Sequence, residues 1–504
     1  MDISKQEKEN NKRIAKNTFV LYIRMFLVMG VTLYTSRVVL NSLGITDFGI
    51  YNVVGGIIAM MGILNSTMSV ASQRFFTFEL GKKDYEKLGI TFSISFLIYM
   101  LFAIIFFILA ESVGLWFLNT QLTIPPERLD AANWVYQFSI FSTIVTLLSN
   151  PFIASVIAHE NMKVFAYIGL FEVILKLLIA CLLLIFTLDH LIMYGFLLFL
   201  SSLIVTSIYI RICIKKYEEC RYRFYWDSRL FKKILIYSGW NLFGSASSLV
   251  KAQGLNILLN LFFNPSVNAA RGIAYQVDNA IVQFFTNFFT AVRPQITKYY
   301  ANNEVSSMLQ LVFRSSKFSF YLILVISLPI LIETPYIIQL WLGQIPEYVV
   351  IFTRLVILIS ALDAMASPIM TTAHATGNIK LYQSLVGTIN ILVIPISYVF
   401  LTYLNSNPSI VFYISLVLTL ISFFVRLWVV KRLINQFPII LYIKEVFCLS
   451  FIVAIFSLLF PMGFKLFFMN NNENSFICFV CICLVCCIST ILTIYLIGLD
   501  KDER

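Results

Sequence analysis

The chain has 504 residues, of which 59% are hydrophobic and 12% are charged, with a formal net charge of +11. Soluble domains carry about 25% charged residues, so this composition excludes an ordinary soluble protein and indicates an integral membrane protein. Most basic residues fall in alternate short loops, so the excess charge reflects membrane topology and not a nucleic-acid surface. The polar start, residues 1–16, has no apolar core, so we expect no cleaved signal peptide.

Apolar segments long enough to cross a bilayer recur along the whole chain. They predict an all-α membrane protein with about 14 transmembrane helices, at residues 17–40, 48–73, 88–117, 131–157, 164–187, 191–214, 234–262, 267–293, 309–333, 349–374, 380–403, 409–431, 445–468 and 476–497. An even number of spans places both termini on one side. The Lys/Arg-rich loops lie on that same side, which identifies it as cytoplasmic.

Two halves of the chain resemble each other. Pro151 and Asn161 recur 217 residues later as Pro368 and Asn378. Similar offsets relate Arg74 to Arg293 and Trp116 to Trp341. Each copy has an even number of spans, so both enter the membrane in the same orientation. Parallel repeats of this kind are typical of transporters whose binding site lies between the halves.

The repeat predicts a division of the chain into two six-helix lobes around a central cationic cleft, joined by a basic linker and followed by two additional spans. The predicted parts are a cytoplasmic tail 1–16, an N-terminal lobe 17–214, a linker 215–233, a C-terminal lobe 234–432, two further transmembrane helices within 445–497, and a cytoplasmic tail 498–504.

The first span contains two arginines, Arg24 about two turns in and Arg37 near the far end. A charge at bilayer depth costs several kcal/mol unless it faces water or a partner, so such residues are candidates for function. If the repeat holds, Lys251 in span 7 adds a cation at an intermediate depth. Arg271 in span 8 would extend this track. A cleft lined by these cations favours anions, and the planar guanidinium fork suits a diphosphate.

Each of these cations also has a structural explanation. Arg37 lies close enough to one end of its span to snorkel to the membrane surface. Arg271 would serve equally well as an interfacial anchor. The sequence leaves these alternatives open.

Acidic residues within the spans are candidates for ion coupling or for charge pairing. Glu172 and Lys176 are four residues apart on span 5, so they share a helix face and are expected to pair. Asp278 and Asp363 in the second half have no cationic partner at that spacing. They would either neutralise Lys251 or titrate during proton or sodium coupling. No other cofactor and no metal site is expected, because the Cys-rich segment 478–487 has no nearby His or Asp ligands.

Glycines cluster in spans 2 and 7. Glycine permits either a helix bend, which would suit alternating access, or close helix packing. The sequence does not decide between the two.

The segment Leu43-Gly44-Ile45-Thr46-Asp47-Phe48-Gly49-Ile50-Tyr51 follows the arginine-bearing first span, which opens with Lys16-Asn17-Thr18. Together with the topology and the repeats, it resembles the multidrug/oligosaccharidyl-lipid/polysaccharide (MOP) exporter superfamily, and within it the polysaccharide-biosynthesis (Wzx-type) flippases. The resemblance covers essentially the whole chain. It implies a bacterial inner-membrane protein, with both termini cytoplasmic, that moves an undecaprenyl-diphosphate-linked oligosaccharide outward. Its partners would be that substrate, membrane lipids and other polysaccharide-assembly proteins, but no nucleic acid.

Two other classes of protein compete with this interpretation. A MATE-like cation-coupled drug antiporter of the same superfamily would want acidic walls and aromatic stacking, whereas span 1 is basic. A membrane enzyme of surface-glycan assembly would want a buried catalytic group or a large polar loop. The three histidines His159, His190 and His374 lie at or near span ends, and no phosphate-binding G-K-[ST] loop is present. We therefore predict a transporter and not an enzyme.

Overall fold

The computed structural model describes residues 3–121, 124–185, 189–221, 225–263, 265–404, 406–468, 476–500 and 503. All regular secondary structure in these residues is helical, which confirms the predicted all-α class. The chain divides into two compact units, Met1–Leu242 and Phe243–Arg504. The boundary therefore falls inside one long helix.

The first unit is a bundle in which α4 packs against α1, α2 and α6, and α5 packs against α1 and α6. Its helices are α1 (Ile3–Lys82), α2 (Tyr85–Leu109), α3 (Leu115–Thr120), α4 (Leu129–Ala158), α5 (Met162–Leu183), α6 (His190–Lys216) and the start of α7 (Ser228–Phe262). A π-helical turn at Ala110–Gly114 precedes α3. Phe92 and Phe152 meet at 5.2 Å between ring centroids in its core. Since α1 begins at Ile3, the predicted polar tail is largely helical.

The second unit contains the rest of α7 and nine further helices. They are α8 (Pro265–Ala301), α9 (Val305–Ile332), α10 (Thr334–Leu342), α11 (Val349–Thr376), α12 (Lys380–Tyr403), α13 (Ile410–Leu433), α14 (Ile439–Tyr442), α15 (Leu449–Phe468) and α16 (Phe476–Thr493). Helix α11 packs against α8, α9 and α13. The buried rings of Phe352 and Phe412, with centroids 4.4 Å apart, join α11 to α13.

The two units repeat the same order of helices. In each, a long helix is followed by a short one that carries a tryptophan, Trp116 in α3 and Trp341 in α10. The next helix contains an internal proline, Pro151 in α4 and Pro368 in α11. The tryptophans and prolines that recur in the sequence therefore fall at matching places in the two units, which confirms the two-lobe arrangement.

Eleven helical stretches among the described residues are long and apolar enough to cross a membrane. They correspond to the predicted spans except 48–73, 234–262 and 267–293. The last two correspond to α7 and α8, which are long but rich in polar residues. Fewer stretches than the predicted 14 are therefore apolar enough to cross a membrane among the described residues. The span predicted at 48–73 lies in α1, where the side chains of residues 56–66 are outside the description.

Helix α1 consists of two helices that meet at Gly44, whose φ of 74° and ψ of 171° are not helical. This is the glycine of the L-G-I-T-D-F-G-I-Y segment, and it separates the first two predicted spans. Residues with a Cβ rarely adopt this conformation, because the Cβ collides with the neighbouring backbone. The glycine is therefore required by the backbone of this turn.

Replacing Gly44 by alanine should destabilise the protein by about 1–3 kcal/mol through backbone strain alone. No atom lies within 4 Å of the position that a Cβ would take, so crowding adds nothing. Thermal unfolding of the purified protein in detergent measures the effect. Gly49→Ala is the matched control, since Gly49 is helical with equally open surroundings and alanine favours helix there. Equal melting temperatures for the two variants would contradict the strain argument.

Arg128 ties three parts of the first unit together. Its Nε donates to Asp47 at 2.8 Å, just beyond the Gly44 turn, and its Nη1 donates to Asp189 at 2.5 Å. Asp189 also caps α6 by accepting from the backbone N–H groups of Leu191 and Ile192. Partial burial acts to raise the pKa of Asp189, but the hydrogen bonds from Arg128 and from the α6 backbone lower it overall.

Arg128→Gln should lower the stability of the protein by about 2 kcal/mol near neutral pH, because two carboxylates lose a shared cation. Arg128→Lys should not restore it, since an ammonium cannot bond both carboxylates as the fork does. The pKa of the Asp189 carboxyl is lower in the folded protein than in the unfolded chain, so its ionised form stabilises the fold above the unfolded pKa. This stabilisation is lost as the pH falls through the folded pKa. The difference in stability between wild type and Arg128→Gln should therefore become smaller below about pH 4.

Melting temperatures measured from pH 3 to pH 7 check this expectation. Glu127→Gln, which changes an exposed neighbour in the same turn, provides the control. A constant difference in melting temperature between wild type and Arg128→Gln across this pH range would contradict the proposed role of the Asp189 carboxylate.

The two additional C-terminal helices and the residues after them form ion pairs with α9 at its middle and just beyond its end. Near the end of α9, Glu333 accepts from Lys465 of α15 at 2.7 Å. Near the middle of α9, Lys317 forms ion pairs with Glu503 at 2.7 Å and with Asp500 at 3.1 Å. Between these ion pairs, α16 packs directly along α9. Asp500 and Glu503 are thus part of the second unit's packing.

Candidate functional site

Arg24 lies between helices of the first unit, in a gap that a glycine provides. Its guanidinium carbon is 4.3 Å from the centroid of the Phe165 ring on α5. One turn further along α5, a Cβ at Gly169 would lie only 2.4 Å from the Arg24 Nε. The Nε is buried and has no hydrogen-bond partner among the described residues. Part of the hydrogen-bonding capacity of this cation is therefore unused.

Glu172, a carboxylate that acts on Arg24, already has a hydrogen-bonded partner. Glu172 acts on Arg24 electrostatically, as does Tyr209 of α6. Lys176, however, donates a hydrogen bond to Glu172 at 2.7 Å, so the pair expected from their spacing is present. Arg24, Glu172 and Lys176 together carry a net positive charge. The structure thus groups one predicted substrate-binding residue with two predicted coupling residues.

Arg37 stands apart from this group on the exposed surface of α1. No ion pair or hydrogen bond of its side chain occurs within the described part of the chain. Thirteen residues separate it from Arg24, so the two cannot contact each other along one helix. Its place on a predicted cationic track stays a prediction.

In the second unit, charges from four helices gather in one cluster. We name Lys251 of α7, Asp278 of α8, Asp363 of α11 and Arg426 of α13 the second-unit charge cluster. Arg426 Nη2 lies 3.1 Å from Asp363 Oδ1. Lys251 interacts electrostatically with both Asp363 and Arg426. The cluster contains two cations and two aspartates, so its charges balance.

Asp278 is the acid of this cluster that has no cation in direct contact. Its side chain is buried, with 6% relative exposure, and is hydrogen-bonded by Ser360. Its Oδ1 atom has no hydrogen-bond partner among the described residues. A buried carboxylate oxygen without a partner is costly unless it takes up a proton or a cation. This geometry suits a coupling residue.

Arg271 is anchored close to the cluster. Its Nη2 donates to the backbone carbonyl of Ala252 at 2.6 Å, and its guanidinium carbon is 4.7 Å from the centroid of the Tyr275 ring. These contacts hold α8 against α7. They match the anchoring alternative, while the buried Nε still lacks a partner in the described part of the chain.

The glycines of α7 pack closely against α12. A Cβ at Gly244 would lie 2.0 Å from Gln383 Oε1, and one at Gly254 would lie 2.2 Å from Ile394 Cδ1. Gly387 of α12 is equally crowded by Phe243 of α7. Close packing, and not a bend, therefore accounts for Gly244 and Gly254.

Sequence reasoning missed Arg426 as the partner of Asp363. The two residues lie on different helices, 63 positions apart, so no spacing rule connects them. A usable signal did exist, because Arg426 falls inside the predicted span 409–431. The rule that selects other charges at bilayer depth applies to it as well.

No protein-family model matches the chain, and no curated relative matches it either. Solved structures do match its fold. An outward-facing multidrug resistance MATE family transporter of the MOP superfamily has a TM-score of 0.72 and 13% identity, with 84% of this chain and 97% of that chain covered. A MATE transporter in the straight conformation gives a TM-score of 0.70 at 15% identity, covering 85% and 97%.

A third match is a MOP superfamily transporter from Pyrococcus furiosus, whose binding pocket is described as having reverse polarity that suggests a different function. It has a TM-score of 0.67 and 13% identity, and 83% of this chain and 96% of that chain are covered. These likenesses concern the fold. The chain therefore has the fold of multi-pass membrane transporters, specifically the MATE type found in the MOP superfamily.

Proposed function

We propose that the protein is a flippase for undecaprenyl-diphosphate-linked oligosaccharide repeat units, which build O-antigen, capsule or exopolysaccharide. It would move them from the inner to the outer face of the bacterial cytoplasmic membrane by alternating access. The transporter fold and the resemblance to Wzx-type flippases support this assignment. The chemistry required is translocation, so no catalytic residue is assigned.

The observation that carries the proposal is the unneutralised charge of Arg24. Glu172, the carboxylate that acts on Arg24 electrostatically, is paired with Lys176, and the Arg24 Nε is buried without a partner among the described residues. A cation held in this way at bilayer depth would be stabilised by an anionic ligand. A diphosphate meets that need through charge-assisted hydrogen bonds to the guanidinium. Arg37, Lys251 and Arg271 remain predicted substrate-binding residues.

The second-unit charge cluster fits coupling better than diphosphate binding, because its own charges balance. Asp278 would take up a proton or a sodium ion during the transport cycle, with Asp363 held by Arg426 beside it. The outside-positive membrane potential also favours outward movement of anions, by about 2.3 kcal/mol per charge per 100 mV.

A MATE-like cation-coupled antiporter is the second candidate function. It is favoured by the buried Asp278, since a carboxylate suits the binding of an organic cation. It is opposed by Arg24, because a cation at bilayer depth repels a cationic substrate.

Glycan display in a bacterial host that lacks its own flippase tests the proposal. The host receives the chain together with its cognate glycan-synthesis genes, and surface glycan is quantified. Restored display is the expected result. Failure of the correctly folded protein to restore display, combined with increased resistance to cationic drugs, would replace the flippase by the antiporter.

A further inference from the structure

A cavity of about 780 Å³ opens in the first unit, away from Arg24. Its walls come from the start of α2, the end of α4 and the end of α6, together with the turn after α6. These three helix ends lie on the side where the predicted topology places the cytoplasm. The volume is within the range of small-molecule sites in proteins. The cavity therefore lies at the ends of three helices that are apolar enough to cross a membrane, where the predicted topology expects lipid headgroups.

The floor of the cavity consists of His159, Tyr217 and Glu219, whose polar groups contact one another or a neighbouring side chain. Glu219, which is largely buried, contacts His159 Nε2 at 2.5 Å. The His159 ring stacks on Tyr217, with centroids 4.1 Å apart. The Tyr217 hydroxyl in turn accepts from Asn161 at 3.1 Å. The polar groups of the floor are thus paired with one another and leave ligand recognition to the rim.

The rim carries exposed charges of both signs, Glu86, Lys216, Glu218 and Arg221. None of the four forms an ion pair within the part of the chain that the structure describes. A purely anionic ligand would leave the two glutamates without partners, and a cationic ligand would leave Lys216 and Arg221 without them. A ligand that carries both charges satisfies the whole rim.

Tyr85 adds an aromatic surface to this rim. It is 65% exposed at the first position of α2, next to Glu86. An exposed aromatic face beside a carboxylate is a favourable environment for an ammonium group, through cation–π attraction and charge pairing. Lys216 and Arg221 on the opposite wall suit a phosphate.

We propose that this cavity binds the headgroup of phosphatidylethanolamine, a zwitterion with one phosphate and one primary ammonium. The phosphate contacts Lys216 and Arg221, and the ammonium contacts Glu86, Glu218 and the face of Tyr85. The position of the cavity at headgroup depth allows the acyl chains to stay in the bilayer. The site is separate from the proposed transport path and does not depend on the transported substrate.

Native mass spectrometry of the delipidated full-length protein tests this site. The protein is mixed with equal amounts of phosphatidylethanolamine and phosphatidylglycerol that have identical acyl chains. We expect several-fold more bound phosphatidylethanolamine, and we expect soluble phosphoethanolamine to displace it. The double variant Glu86→Gln/Lys216→Gln should lose the preference.

Two further variants keep the test decisive. The charge-swapped variant Glu86→Lys/Lys216→Glu keeps both signs on the rim but places a lysine beside Tyr85 and a glutamate beside Arg221, so it should also lose the preference. Glu127→Gln/Lys163→Gln, which removes one acid and one base at exposed positions outside the cavity, should behave as wild type. Equal or tighter binding of phosphatidylglycerol would overturn the site. So would an unchanged preference in the Glu86→Gln/Lys216→Gln variant, or a failure of phosphoethanolamine to compete.

Discussion

Replacement of Arg24 by alanine is expected to reduce surface glycan display on the order of tenfold or more at matched expression, since a charge-assisted hydrogen bond is worth about 1.5–3 kcal/mol. The Arg24 guanidinium forms no ion pair among the described residues, and its Nε is buried without a hydrogen-bond partner there. Lys163→Ala removes one positive charge from an exposed position on α5 and should display glycan as wild type does. The measurement is surface glycan per correctly folded transporter.

Gly169→Ala tests the position of the Arg24 side chain without changing its charge. The added Cβ would lie 2.4 Å from the Nε and 2.8 Å from the guanidinium carbon, so the end of the side chain must move. Because that end is flexible, the protein should still fold, while display should fall. Gly30→Ala, at an open position of α1, is the control. Normal display from both Arg24→Ala and Gly169→Ala would remove Arg24 from the transport path.

The second large effect is expected at the C-terminus. Glu503→Ala should destabilise the protein by about 3 kcal/mol, because a buried cation loses its buried partner. The side chains of Lys317 and Glu503 are only 3% and 4% exposed, respectively. Thermal unfolding in detergent measures the loss.

Asp500→Asn is the matched control for Glu503→Ala. Asp500 also contacts Lys317, but its side chain is 66% exposed, so its loss should cost less than about 1 kcal/mol. Replacing the pair by Lys317→Met/Glu503→Leu should recover most of the stability, since neither buried charge of the pair remains. Arg314, which lies 3.6 Å from Glu503, is 22% exposed and keeps access to water. Equal effects of Glu503→Ala and Asp500→Asn would show that burial does not determine the strength of this contact.

Much of the fold was predictable because long apolar stretches and repeated prolines and tryptophans are local signals. Hydropathy placed the helices, and the matching positions of Pro151 and Pro368 revealed the two lobes. The spans predicted at 234–262 and 267–293 are the instructive exceptions, since both helices exist as α7 and α8 but neither is among the stretches apolar enough to cross a membrane. Residues such as Lys251 and Asp278 make them polar, and these are the residues that form the charge cluster.

The candidate sites were predictable only as a list of unusual residues. Sequence rules selected Arg24, Asp278 and Asp363 by their depth in the membrane, and the i, i+4 spacing gave the pair of Glu172 with Lys176. They could not show that Arg426 holds Asp363, because that contact joins distant helices. Nor could they show that the missing side chain of Gly169 makes room for Arg24.

The two ionic attachments of α15 and α16 to α9 have a consequence for how the transporter would be studied. Because ion pairs join these C-terminal segments to α9 at two places, we expect them to move together with α9 during a transport cycle. A fluorophore or distance probe placed beside Asp500 would then report the displacement of α9 together with these helices. A label beside Asp500 would thus allow the transport cycle to be followed in real time.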